Sequence, residues 1–115
     1  LERNASASNA NSINVSGSPI AKIEYVEINV KLSEPYDNNC GFNLTLKRGD
    51  TDAVFMKDDR SYNIFVYGDG YRFATPRFLD ENADGTWSLT LDRLAAECPS
   101  DLNIIEWKIR VRGRN

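Results

Sequence analysis

The sequence predicts an all-β fold, a jelly-roll-like β-sandwich of short antiparallel strands. Three observations predict it. Trp87, Leu89 and Leu91 alternate with Ser88 and Thr90, the period-2 pattern of a half-buried strand. Near the C-terminus Ile105, Trp107, Ile109 and Val111 alternate with Glu106, Lys108, Arg110 and Arg112, and Gly113 follows. Upstream, many short apolar runs are separated by Gly- and Pro-bearing turns, as in sandwiches. Two Trp-bearing strands on one core imply two sheets, because each sheet must bury its apolar face on something.

Residues 1–12 are rich in Asn, Ala and Ser and have no hydrophobic period. That composition buries too little to offset its ordering entropy, so a flexible linker is expected there and a domain over 13–115. Ile13 and Val15 begin it as a short edge strand, and Ser16-Gly17-Ser18-Pro19 is a turn. From Ile20 to Leu32, Val26, Ile28, Val30 and Leu32 share one parity, while Ile23 and Tyr25 have the other. A bulge is therefore expected at Tyr25-Val26.

Residues 34–41 form a polar loop, after which Phe42, Leu44 and Leu46 face inward. Residues 47–52 are a turn, Ala53 to Met56 a strand, and residues 57–60 a charged connection. Tyr62 to Tyr67 is strand-like, and Gly68-Asp69-Gly70 turns it into Tyr71-Arg72-Phe73 as a hairpin. Residues 74–80 lead to Glu81-Asn82-Ala83-Asp84-Gly85, a tight acidic turn that delivers Trp87 into the core. A short helix is expected only within Leu91 to Glu97.

With 115 residues the chain is one domain with a single core. Its 27% charged residues keep it soluble, and its formal net charge of -3 argues against nucleic acid. No apolar run approaches the length of a membrane span. The chain contains no histidine. That excludes a Ser-His-Asp triad, a Cys-His pair and a His-ligated zinc within it. There is no P-loop or dinucleotide-binding glycine fingerprint. The acidic residues fall mostly in turns or on outward strand positions, so no carboxylate pair stands out for catalysis. Cys40 and Cys98 are either one disulfide or two buried thiols, and a secreted setting favours the bridge. In the chain-entropy description a loop of that length contributes about 4 kcal/mol.

Asp80-x-Asn82-x-Asp84-Gly85 matches the first half of a calcium loop. Hard oxygens at alternate positions can converge on Ca²⁺, and the glycine permits the sharp turn. Asp80, Asn82 and Asp84 are thus candidate ligands, although Leu91 stands where such a loop carries its closing Glu. The alternative is a solvated acidic turn in which Glu81 bonds backbone amides. Arg48-Gly49-Asp50 is the integrin tripeptide, but a turn between strands explains it without a receptor. Asn4, Asn14 and Asn43 begin glycosylation sequons. Most aromatics sit at inward parity, with Tyr36, Tyr67 and Tyr71, near loops, as the exceptions for a sugar-stacking face. Arg110, Arg112 and Arg114 form an outward row, either a solvated face or a surface for an acidic partner.

The pattern Glu81-x-x-x-Gly85-x-Trp87-x-Leu89-x-Leu91, followed by Trp107-x-Ile109-x-Val111-x-Gly113, resembles the end of the P domain, or Homo B domain. That domain follows the catalytic domain in kexin- and furin-like subtilisin proteases. Val26 to Val30 and Phe42 to Leu46 stand where the family has its first paired strands. The chain departs from the family at Ser33-Glu34-Pro35, Arg48-Gly49-Asp50 and Leu102-Asn103-Ile104. The resemblance implies a non-catalytic β-sandwich that packs in cis on a subtilisin-like catalytic domain and stabilises it, in a secreted or extracellular protein. The domain is expected to be monomeric in isolation. The reading from a different class is a carbohydrate- or surface-binding module of another secreted enzyme, and a third is an independent adhesin-like domain.

Overall fold

The computed structural model describes residues 1–33, 41–57, 66–67, 70–93 and 103–115, with the backbone alone at 56–57, 66–67, 70 and 93. Nine strands run through them: β1 (Glu2–Ser8), β2 (Ser12–Val15), β3 (Lys22–Leu32), β4 (Phe42–Arg48), β5 (Thr51–Lys57), β6 (Val66–Tyr67), β7 (Gly70–Thr75), β8 (Gly85–Arg93) and β9 (Ile104–Arg114). They form a five-stranded sheet in the order β1-β9-β3-β7-β6 and a four-stranded sheet in the order β2-β8-β4-β5. Every strand pair is antiparallel. The chain crosses repeatedly from one sheet to the other, and no helix occurs among the described residues. The fold is the all-β sandwich that the alternation predicts.

Each long strand turns its apolar parity inward. Val26, Ile28 and Val30 of β3 face Val111, Ile109 and Trp107 of β9 in register, and all six are buried. Across the core, Leu44 and Leu46 of β4 stand opposite Leu91 and Leu89 of β8. Trp87 and Trp107 are fully buried, one from each sheet. Each satisfies its indole N–H on a backbone carbonyl, Trp87 on Ala83 and Trp107 on Ala10, both at 3.0 Å. A buried indole needs such an acceptor. Phe78 packs edge-on to Trp87 with centroids 4.9 Å apart; its place in the core was not evident in the connection over 74–80.

β3 has two register shifts against β9: one between Ile23 and Tyr25, one position before the expected site, and one between Lys31 and Leu32, which skips Ile105, expected inward, and brings Ile104 against the core. Glu24 is the extra residue, and it restores inward parity to Ile23. β2 is the short strand expected at Ile13 and Val15, both buried. The turn expected over 47–52 is tighter, because Arg48 already pairs with Thr51 and Gly49 takes a φ of 60°. β6 and β7 form the expected hairpin, with Tyr67 paired to Gly70.

Two expectations need correction. Residues 2–8, read as part of a flexible linker, are β1, paired along its whole length with β9. Small side chains explain both the misreading and the strand. Ala5 and Ala7 are half-buried against the core, while Asn4, Ser6 and Ser8 are exposed, so the alternation is present with almost no hydrophobic contrast. Leu91 to Arg93, the start of the expected helix, completes β8; the remainder lies outside the described residues. Cys40 and Cys98, Tyr36, and most of the strand-like run from Tyr62 lie outside them too.

Candidate functional site

A densely bonded polar feature joins the β4–β5 turn to the acidic loop before β8. Register creates it. β4 pairs with β8 so that Arg48 lies opposite Trp87, which carries the guanidinium to the mouth of the loop. Arg48 Nε and Nη2 donate to the Asp84 carbonyl at 3.0 and 2.6 Å. Its Nη1 donates to Glu81 Oε1 at 3.2 Å, and its Cζ stands 5.8 Å from the centre of the Trp87 ring. Glu81 Oε2 accepts from the Thr51 hydroxyl at 2.8 Å. Thus Glu81 serves a guanidinium and a hydroxyl rather than the backbone amides expected of it. Such charge-assisted, forked bonds are among the stronger ones available to a partly exposed group.

Gly85 makes the approach feasible. Its φ is 137°, and a Cβ there would stand 3.2 Å from Arg48 Nε, so backbone conformation and space both call for glycine. On its other side the loop is zipped to residues 18–23. Ser18 N–H donates to Asp84 Oδ1 at 2.9 Å, Ala83 N–H to the Ile20 carbonyl at 3.2 Å, and Ile23 N–H to the Glu81 carbonyl at 2.8 Å.

The three candidate calcium ligands already have partners within the chain. Asp84 Oδ1 is taken by Ser18, Asn82 Oδ1 accepts the Asp84 N–H at 2.8 Å, and an Asp80 oxygen lies 3.9 Å from Arg114 Nη2. Among the described residues no three His, Cys, Asp or Glu side chains gather as a metal-binding group.

The remaining motif residues are parts of the core. Leu89 is fully buried on β8 beside Trp87. Gly113, on β9, is buried where a Cβ would fall on the Lys22 carbonyl oxygen and 2.7 Å from Ile20 Cγ2. Tyr71, expected near the surface, is 2% exposed and meets Phe42 edge-on at 5.3 Å. The arginine of the integrin-type tripeptide is committed to Glu81 and Asp84, which the register determines and the tripeptide alone does not reveal. Asn14 lies on β2 and its Oδ1 accepts the Thr86 hydroxyl; Asn43 is half-buried on β4.

A second polar region covers the outward face of the five-stranded sheet. Arg110 bridges Glu2 at 3.3 Å and Glu27 at 2.9 Å, tying β1, β9 and β3 together. Arg112 stands over Tyr25 at 5.7 Å. Between Arg110 and its neighbours Lys108 and Arg72 lies an open recess of about 330 Å³.

No family model matches the sequence, and no curated protein matches it. Solved structures match it in fold. One is the crystal structure of the Aeromonas sobria serine protease in complex with its chaperone: 100% of this chain superposes on 27% of the matched chain, with a TM-score of 0.68 and 16% identity. Another is the crystal structure of the Aeromonas sobria serine protease, where 96% of this chain covers 27% of that one, with a TM-score of 0.53 and 17% identity. At such identities the likeness is one of fold, and the chain spans about a quarter of the length of the chains it matches.

Proposed function

We propose that this chain is a P-like accessory domain that packs in cis on a subtilisin-like serine protease domain and stabilises it, in a secreted or extracellular enzyme. One observation carries the reading. The whole sandwich, from first strand to last, has its counterpart in about a quarter of a serine protease chain. The absence of histidine supports a non-catalytic role, because the general base of a serine triad would have to come from elsewhere. The runner-up, a carbohydrate-binding module, gains little from the aromatics described: both tryptophans and Tyr71 are interior, and half-buried Tyr25, on the outward face, has Arg112 over its ring.

The test is removal of residues 1–115, β1 included, from the full-length enzyme. The expected result is a lower yield of folded protease or a shorter thermal half-life, with no retention of the isolated domain on glycan arrays. A truncated enzyme of unchanged half-life, together with selective glycan binding, reverses the ranking. The isolated domain should also leave casein and dibasic peptides uncleaved. Turnover that co-purifies with it and disappears on a point substitution within it would contradict the accessory role.

A further inference from the structure

β1 is held to the sandwich mainly by its backbone. It lies at the edge of the five-stranded sheet and pairs with β9 from Glu2 to Ser8. None of its residues is fully buried; the inward Arg3, Ala5 and Ala7 are half-buried. Two of these offer only a methyl group. The third leaves Arg3 Nε buried without a hydrogen bond, which costs stability while β1 is seated. The ion pair from Glu2 to Arg110, at 3.3 Å, joins side chains that are both more than a third exposed and so contributes little. What seats β1 is therefore the edge of a β9 of this sequence, and every copy of the chain carries one.

The connection to β2 concentrates strain at one residue. Only Asn9, Ala10 and Asn11 lie between Ser8 and Ser12. The Ala10 carbonyl accepts from the Trp107 indole at 3.0 Å, and the Asn11 carbonyl from Leu89 N–H at 2.8 Å, so both stay with the body of the sandwich. Asn9 makes the turn at a φ of 53°, in the left-handed region that a residue other than glycine occupies at a cost. Short hinges under strain favour exchange of an element between copies. We propose that the edge of β9 is a docking surface for β1 of a second copy of this chain, giving a dimer in which the two first strands are exchanged. Turning Asn9 to the extended region directs β1 away from its own β9. The ladder from Glu2–Arg112 to Ser8–Glu106 then re-forms in the same register on the second copy. Ladder bonds broken in one copy are made again in the other, and Asn9 is relieved twice per dimer. Against exchange stand the Asn9 N–H bond to the Ile105 carbonyl, at 2.7 Å, and the freedom two chains lose on associating, so the dimer grows with concentration. The monomer expected of the domain is the closed form of the same fold, and the proposal is independent of the accessory role.

The experiment uses the whole chain. Asn9 bonds to Ile105, so the odd residues of β1 form the hydrogen-bonded pairs, and Ser6 faces Lys108 as a non-hydrogen-bonded pair, at the close spacing a disulfide spans. Two batches of the Ser6→Cys, Lys108→Cys variant, one carrying heavy nitrogen, are mixed under reducing conditions, concentrated and then oxidised. Peptide mapping should find bridges between positions 6 and 108 that join a light peptide to a heavy one, with a share that rises with concentration. Mapping the peptides keeps Cys40 and Cys98 out of the reading. In light scattering of otherwise unaltered chains, Asn9→Gly, which removes the cost of the turn, should lower the dimer association constant, and Asn9→Val should raise it, the two differing by roughly tenfold or more. Asn9 lies outside both strands, and an Asn9→Gly chain that melts no lower than the parent shows that folding is intact. Bridges confined to one label at every concentration overturn the proposal: with light scattering monomeric, β1 does not leave its own β9, and with light scattering dimeric, the copies associate through another surface. Equal dimer constants for Asn9→Gly and Asn9→Val overturn the hinge and the proposal with it.

Discussion

Gly113 shows how little tolerance the core has at single atoms. Its missing Cβ would overlap the Lys22 backbone, which cannot rotate away, so Gly113→Ala should destabilise by about 3 kcal/mol, the upper end for overpacking, read as a lowered urea midpoint. Trp87→Ala removes a fully buried ring and should cost about 3–5 kcal/mol, a large share of the roughly 5–15 kcal/mol typical of a domain. If Trp87→Ala and Trp107→Ala both melt within a few degrees of the parent, these rings are not anchors of the core. At the loop, Arg48→Lys keeps the charge but loses the fork to the Asp84 carbonyl. It should cost about 1–3 kcal/mol, the range for hydrogen bonds involving a charged group. Because Asn82 Oδ1 and Asp84 Oδ1 already accept bonds from the chain, melting temperatures in EDTA, CaCl₂ and MgCl₂ of equal ionic strength should coincide. A calcium-specific rise abolished by Asp84→Ala would return the ion to the loop. The close approach that requires glycine at 113 is set by Lys22 and Ile20, whereas Trp87 and Gly85 were legible because period and turn chemistry are local. The partnership of Arg48 with Glu81 was not, since it depends on which strand lies beside β4.

At the scale of elements, the strands with strong apolar contrast announced themselves, and β1 did not. Ala5 and Ala7 add little burial, so the strand depends on its backbone ladder to β9 and on the Arg110 bridge to Glu2. Its parity also turns Arg3 towards the core side, where Arg3 Nε is buried without a hydrogen bond. An inward charge on an edge strand hinders a further strand from pairing there, a known device against edge-to-edge association. Removal of residues 1–10 separates linker from strand. A linker leaves the melting temperature unchanged. Loss of a paired strand, together with the Ala10 carbonyl that follows it and accepts from Trp107, should lower it markedly, at about 4–8 °C per kcal/mol for a small domain. An unchanged melting temperature would restore the linker reading.

For the molecule as a whole, the sandwich was legible because alternating strands can bury one face only by stacking sheets. The strand order was not, because alternation specifies a face and leaves the neighbour open. That order pairs distant segments: β1 with β9, β3 with β9, and β2 with β8. Folding must close long loops before most contacts form, so single-domain refolding is expected in the millisecond-to-second range. Stopped-flow tryptophan fluorescence measures this, and a microsecond phase carrying the full amplitude would contradict the topology.

The reciprocal bonds between Leu1 and Gly113, both at 3.1 Å, place the two ends of this polypeptide side by side at one corner of the sheet. Under tension applied between those ends, the ladder from β1 to β9 is loaded one rung at a time, as a zipper is, and never in parallel shear. In optical tweezers the first strand should therefore peel at low force while the rest of the sandwich stays folded. A neighbouring domain that tugs on either end would feel a soft fuse before it felt the core.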